Sequence, residues 1–256
     1  MSRTRSSSAR ELPPPLPPEL RTVGQLVGEA IRVYGANFWK ALVLGVPVVV
    51  VNAVAWGGSS NSSRLLVAGI SAVLIPASFV GGSAIVLGKP LRTRRALLAY
   101  AVAVVVFIPF PFLVALFVVP GLVWLGLFGL AVPAILAENI RPRAALGRGF
   151  RLARADLTHV LGGLATLALV VFLVQAGLYF VLREFASNTR QAAAVLASLV
   201  VSPVVFLGAA LLYVDQEARL RSHTERRKER DAHVPDADDA HGERRADTPR
   251  EPGPAA

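Results

Sequence analysis

Acid–base or metal chemistry needs His, Cys, Asp or Glu brought together at a workable spacing, and this chain offers few such groups. It has no Cys and 4 His. Without a thiol there is no disulfide framework, thiolate zinc site, thiol nucleophile or iron–sulfur cluster. His223, His233 and His241 fall towards the C-terminus, near Asp236, Asp238 and Asp239. The Asp spacing starts like an EF-hand loop, but Ala240 and His241 stand where that loop needs a ligand and a Gly. A solvated tail accounts for the group, and no metal or cofactor is expected.

The other concentration of functional side chains is basic. Residues 141–157 read RPRAALGRGFRLARADL. On a helical wheel Leu146, Gly149, Phe150, Ala153 and Leu157 fall within about 100°. Arg141, Arg143, Arg148, Arg151 and Arg154 take the opposite arc, and Pro142 suits a first helical turn. Arg148, Arg151 and Arg154 are thereby candidates for contact with anionic lipid headgroups, each contributing about 1 kcal/mol near a charged surface. A second reading needs no ligand: the same charge would anchor the loop on the cytoplasmic side.

The surrounding elements are apolar. Of 256 residues 54% are hydrophobic and 17% charged, where a soluble domain carries roughly 25% charged residues. The apolar residues lie in blocks of about 20, the length that spans a bilayer core. Six spans are predicted, over Phe38–Trp56, Leu65–Leu87, Ala96–Val119, Gly121–Ala137, Val160–Leu182 and Ala192–Val214. The third and fourth are divided at Val119-Pro120-Gly121; a re-entrant loop at Pro109-Phe110-Pro111 is the rival arrangement. Two short amphipathic helices, near 22–35 and 142–157, should lie in the membrane interface. Thr22 and Gln25 have capping-box spacing and Gly35 suits the C-cap of the first. Residues 1–20 are Ser, Arg and Pro, with polyproline II character expected at 13–18. Residues 215–256 form a charged tail, helical at first and largely disordered beyond. The fold class is all-α: a polytopic membrane protein with six transmembrane helices, a membrane domain over 21–214 and two interfacial helices.

Charge sets the orientation. The net charge is +10, and residues 1–214 hold 18 basic side chains against 6 acidic ones. The basic residues flank spans and form no separate domain, so anionic lipid is the expected partner and nucleic acid is not. Counted segment by segment, 24 fall on the side shared by both termini and 3 (Arg64, Arg183, Arg190) on the other. The positive-inside rule then places both termini in the cytoplasm, with the chain in the inner, cytoplasmic membrane.

Within the spans the side chains are mild. Asn52 and Gln175 suit hydrogen bonds between helices better than solute binding. No Asp, Glu, Arg or His lies inside the predicted limits, which argues against proton coupling and a hydrolytic site. Proline falls within five of the six spans, at Pro47, Pro76, Pro109, Pro111, Pro133 and Pro203. Ordinary kinks account for these, and helices broken around a transport site are the alternative. Residues 26–42 also align with 145–161, matching Gly28 with Gly147, Arg32 with Arg151, and Asn37 with Asp156, as two repeats would.

Three stretches carry a resemblance: TVGQLVGEAIRVYGANFWKAL, AVPAILAENIRPRAALGRGFRLARAD and LLYVDQEARLR. Together they resemble the membrane domain associated with glycerophosphoryl diester phosphodiesterases, a group of polytopic bacterial membrane proteins. The resemblance covers about residues 18–222. It implies a membrane domain and transfers no activity, because the soluble phosphodiesterase barrel of fused members has no counterpart here. The function expected is that of a non-catalytic integral membrane protein, organising lipid or a partner enzyme. The alternative is a permease for a neutral or lipid-like solute.

Because the chain has no Cys, its topology can be read by labelling. Cys at Ser62 or Asn188 should react with an impermeant thiol reagent in intact cells. Cys at Thr93, Ser222 or Thr248 should react only after permeabilisation, and external labelling at position 93 would overturn the six-span arrangement.

Overall fold

The computed structural model describes residues 17–56 and 60–233. The expectations for residues 1–16, for His241 and for Asp236, Asp238 and Asp239 lie outside these. The described residues are helical throughout, with no strand among them. Six helical stretches are long and apolar enough to cross a membrane: Phe38–Trp56, Asn61–Leu87, Thr93–Leu116, Val118–Glu138, Leu157–Val181 and Ser187–Arg230. The protein is a multi-pass membrane protein.

The chain enters through a 3-10 turn at Pro18–Leu20, closed by the Leu20 N–H on the Pro17 carbonyl at 3.0 Å. This turn directly precedes Arg21, whose guanidinium binds Asp215. Helix α1 (Val23–Ala36) begins on the capping box that the sequence predicts: Thr22 Oγ1 accepts from the Gln25 N–H, and Gln25 Oε1 accepts from the Thr22 N–H. Gly35 does not end it. Asn37 does, donating its side-chain amide to the Val33 carbonyl at 3.2 Å. In the 26–42 and 145–161 alignment Asn37 faces Asp156, and both residues occupy the non-helical step between a short helix and a span.

Proline divides the spans. The first is α2 (Phe38–Leu42), a 3-10 turn at Val43–Gly45, and α3 (Val46–Trp56). Helix α4 (Asn61–Leu87) runs unbroken through Pro76. The third span is α5 (Thr93–Phe107) and α6 (Phe110–Leu116), separated at Ile108-Pro109. The fourth is α7 (Val118–Phe128) and α8 (Ala131–Glu138). The break between these two spans falls at Phe117, whose backbone is extended (φ −165°, ψ 146°), and not at Val119-Pro120-Gly121. Pro120 sits in the first turn of α7, where a missing N–H costs nothing, so it starts the fourth span instead of ending the third. Helix α6 packs on α7 and α5 on α8, as two antiparallel spans do; the re-entrant alternative does not form. Helix α9 (Pro142–Ala155) leads to α10 (Leu157–Val181), and α11 (Ser187–His233) follows.

Breaks and prolines leave backbone carbonyls without their helical donors, and neighbouring helices answer some of them. Pro47 cannot donate to the Leu44 carbonyl, and the Ser78 hydroxyl does so at 2.7 Å. Near the Pro109 break, the Trp124 indole donates to the Val106 carbonyl at 2.8 Å. At mid-span Ser198 Oγ accepts from both Asn52 and Gln175, each at 3.0 Å, which joins the first, fifth and sixth spans. Pro203 frees the Leu199 carbonyl, and Gly45 packs directly against that oxygen. The last span is the most buried of the six and the fifth the least. The compact unit ends at Arg219, five residues beyond the predicted membrane domain; Leu220 begins a second unit.

A Cβ at Gly45 would overlap the Leu199 carbonyl, and α2–α3 and α11 would have to separate. Gly45→Ala should therefore destabilise the protein by about 1–3 kcal/mol. Gly28→Ala meets open space on α1 and should be neutral or stabilising by up to about 1 kcal/mol. Denaturation of the detergent-solubilised chain measures both, and equal effects would refute the close approach.

Candidate functional site

The ends of the second, fourth and sixth spans meet. Lys89, just past α4, donates to the Ala137 carbonyl at the end of α8 at 2.6 Å, and Tyr213 on α11 reaches Glu138. The segments that precede the first and fifth spans join the same end through Arg21 and Asp156. Two polar groups form there.

Glu138 organises the first. It is the last residue of α8, and Asn139 follows in the left-handed region (φ 57°), turning the chain into α9. Glu138 Oε1 accepts from Arg148 Nε at 2.8 Å and from the Tyr213 hydroxyl at 3.0 Å. Tyr213 is fully buried. This ties α8, α9 and α11 to one carboxylate.

Asp215 organises the second. It is 0% exposed, and Arg21 donates to its Oδ1 at 2.6 Å. One turn along α11, Arg219 donates to Asp156 Oδ2 at 2.8 Å and to the Arg21 carbonyl at 2.9 Å. Asp156 also caps α10, its Oδ1 accepting the His159 N–H at 3.0 Å. Arg219 Nη2 lies 3.3 Å from His159 Nδ1. A guanidinium only donates, so Nδ1 accepts and the proton of a neutral ring resides on Nε2. That nitrogen faces Asp215 Oδ2 at 3.7 Å. Two arginines and two aspartates thus surround the His159 ring. The arrangement is a buried electrostatic clamp joining residues before the first span, at the head of the fifth and on the sixth. Among the described residues no group of three His, Asp or Glu is placed to hold a metal ion.

The three arginines singled out on α9 differ in their surroundings. The buried face of α9 is Ala145, Gly149, Leu152 and Ala153, rotated by about one position from the expected stripe. Leu146 and Phe150 lie at its margin, and Phe150 stacks on Phe128 at 6.1 Å between ring centroids. Arg148 falls three residues after Ala145 and four before Leu152, at the border of the buried face. It is half-buried, and Glu138 answers its charge inside the protein. Arg151 and Arg154 are exposed, with the Arg154 guanidinium 5.4 Å from the Phe150 ring centroid. The corresponding position on α1 differs. Arg32, aligned with Arg151, is ion-paired to Glu29, and that hydrogen-bonded carboxylate raises the Arg32 pKa above its ordinary value. Arg148 stands where α1 has Glu29, so Arg151 has no acid three residues before it.

The ionisable groups of the clamp lie just outside the predicted limits of the spans. Asp215 lies one residue past the predicted sixth span, at the start of the charged tail, and His159 one before the fifth. The available signal was Asp215 and Arg219 at i,i+4, which puts opposite charges on one helical face directly after an apolar run.

No family model, no curated protein and no solved structure matches this chain.

Removing one partner from a buried ion pair strands the other charge, at about 3–5 kcal/mol. Asp215→Ala should cost that much. Pairing it with Arg21→Met should recover part of the loss, giving a coupling energy of about 1–3 kcal/mol in a double-mutant cycle. Strict additivity in denaturation measurements would show that the two side chains do not interact.

Proposed function

We propose that this protein is a non-catalytic component of the cytoplasmic membrane that organises anionic lipid, or a partner enzyme bound to such lipid, at its basic end. Both termini and that end face the cytoplasm on this reading, as the distribution of basic residues requires. The observation that carries it is the pair Arg151 and Arg154, exposed on an amphipathic helix with no carboxylate bound to either among the described residues. Helices α1 and α9 would lie along the interface, where an exposed arginine meets headgroup phosphates. The resemblance to the membrane domain associated with glycerophosphoryl diester phosphodiesterases supports a membrane role without an active site. The acids and bases of the basic end favour the same reading, since the two carboxylates that organise it are engaged by arginines.

The permease alternative draws on the broken spans and on a cavity of about 460 Å³ lined by Val51, Ile75, Phe107, Phe110 and Val114. Against it, Asn52 and Gln175, the amides available to hold a solute at mid-depth, both bind Ser198.

Lipid retained by the full chain in a neutral detergent tests the first reading. Arg151→Gln with Arg154→Gln should leave the melting temperature unchanged and lower the anionic share of retained lipid several-fold, at most about 1 kcal/mol per charge. Arg148→Gln should instead lower the melting temperature, because Glu138 loses its partner. An unchanged anionic share in the double variant would reject headgroup recruitment by α9.

A further inference from the structure

The connections α4–α5 and α8–α9 leave their helices side by side. Gly88 (φ 59°) and Asn139 (φ 57°) turn the chain at corresponding places, and the Lys89–Ala137 hydrogen bond pins one connection to the other. Between them lies a recess of about 550 Å³, lined by Arg92, Arg94, Arg95, Leu98, Asn139 and Arg141 among others. A smaller recess of about 240 Å³, reaching Lys89 and Leu136, shares Arg92 and Arg95 with it.

No carboxylate lines either recess. None of the four arginines has an ion-pair partner among the described residues. The one acid in these two connections, Glu138, turns away to Arg148 and Tyr213. Four guanidiniums therefore converge on one concave volume with no carboxylate among the described residues to balance them. Such a field concentrates anions. The guanidinium fork matches phosphate oxygens two at a time, which an ammonium does not. Arg92 and Arg141 are also the residues that precede the first turns of α5 and α9, and no side chain caps either helix. Both helices thus begin at the recess wall and add the positive ends of their dipoles. The volume exceeds that of a single phosphate and falls in the range of small-molecule sites. Leu98 and Ile140 supply an apolar side to it.

We propose that this recess binds a phosphate-bearing group, the headgroup of a phospholipid or a soluble phosphate ester, through Arg92, Arg95 and Arg141, with Arg94 adding charge at its edge. The site is separate from Arg151 and Arg154 and does not depend on lipid recruitment by α9.

Calorimetry on the full chain in a neutral detergent tests it with three probes: dioctanoyl phosphatidic acid, glycerol phosphate and dioctanoyl phosphatidylcholine. The native chain should bind phosphatidic acid at least tenfold more tightly than phosphatidylcholine. Arg92→Gln and Arg141→Gln alter exposed side chains and should each weaken phosphatidic acid binding several-fold with unchanged melting curves. The triple variant with Arg95→Gln should weaken it at least tenfold, and Arg151→Gln with Arg154→Gln should not alter it. Lys at 92, 95 and 141 keeps the charge and should still lose several-fold through the missing fork. Glycerol phosphate binding as tightly as phosphatidic acid supports the site and makes its ligand a soluble ester; binding of phosphatidic acid alone supports it and makes the ligand a lipid. Absence of binding by both phosphate probes, or equal binding by the native chain and the single Gln variants, overturns the proposal.

Discussion

A carboxylate at the end of an apolar helix with no exposure to water has to be neutralised by its neighbours, and at Asp215 that requirement governs the basic end of the bundle. Arg21 supplies the charge from before the first span, and His159 presents a ring nitrogen from the head of the fifth. Arg219 holds the arrangement in register by binding Asp156, the Arg21 carbonyl and His159 together. Taking such ions out of water costs several kcal/mol apiece, so the pairing does not measure net stability. It specifies which segments meet, since any other packing would strand a charge.

The proline breaks pose the same problem for the backbone. Three spans are segmented, and each break leaves carbonyls that hydrocarbon cannot hydrogen-bond. Ser78 and Trp124 answer two of them from neighbouring helices, and Gly45 packs against the Leu199 carbonyl that Pro203 frees in the unbroken last span. The kinks are thus held by specific contacts. Ser198 joins this pattern, since it takes both mid-depth amides, and Ser202 on the same helix donates back to its carbonyl. Polar groups within the spans are spent on the fold, while the unanswered charge gathers at the α4–α5 and α8–α9 connections.

Much of this was legible in the sequence because hydropathy and length decide what spans a bilayer. The six spans and the Thr22–Gln25 cap follow from local rules. What escaped depends on contacts between distant segments. Asp215 reads as the first residue of a charged tail until Arg21, 194 residues earlier, is placed beside it. Arg148 reads as one of an arginine row until a rotation of the buried face by one position turns it towards Glu138. Pro120 reads as a helix end because proline marks both ends of helices, and only the backbone at Phe117 decides between them. The recess at Arg92 and Arg141 was visible as two basic runs but not as one volume, because nothing local says that Lys89 reaches the Ala137 carbonyl.

The pairing of Arg21 with Asp215 also bears on how the protein is made. Arg21 is synthesised before the six spans described here, and its partner Asp215 emerges only with the last of them. Throughout that interval the segment ahead of α1 lacks Asp215, the carboxylate it binds in the folded chain. The contact that ties the segment before α1 to α11 can therefore form only once α11 has been made, whatever the order in which the five earlier spans insert.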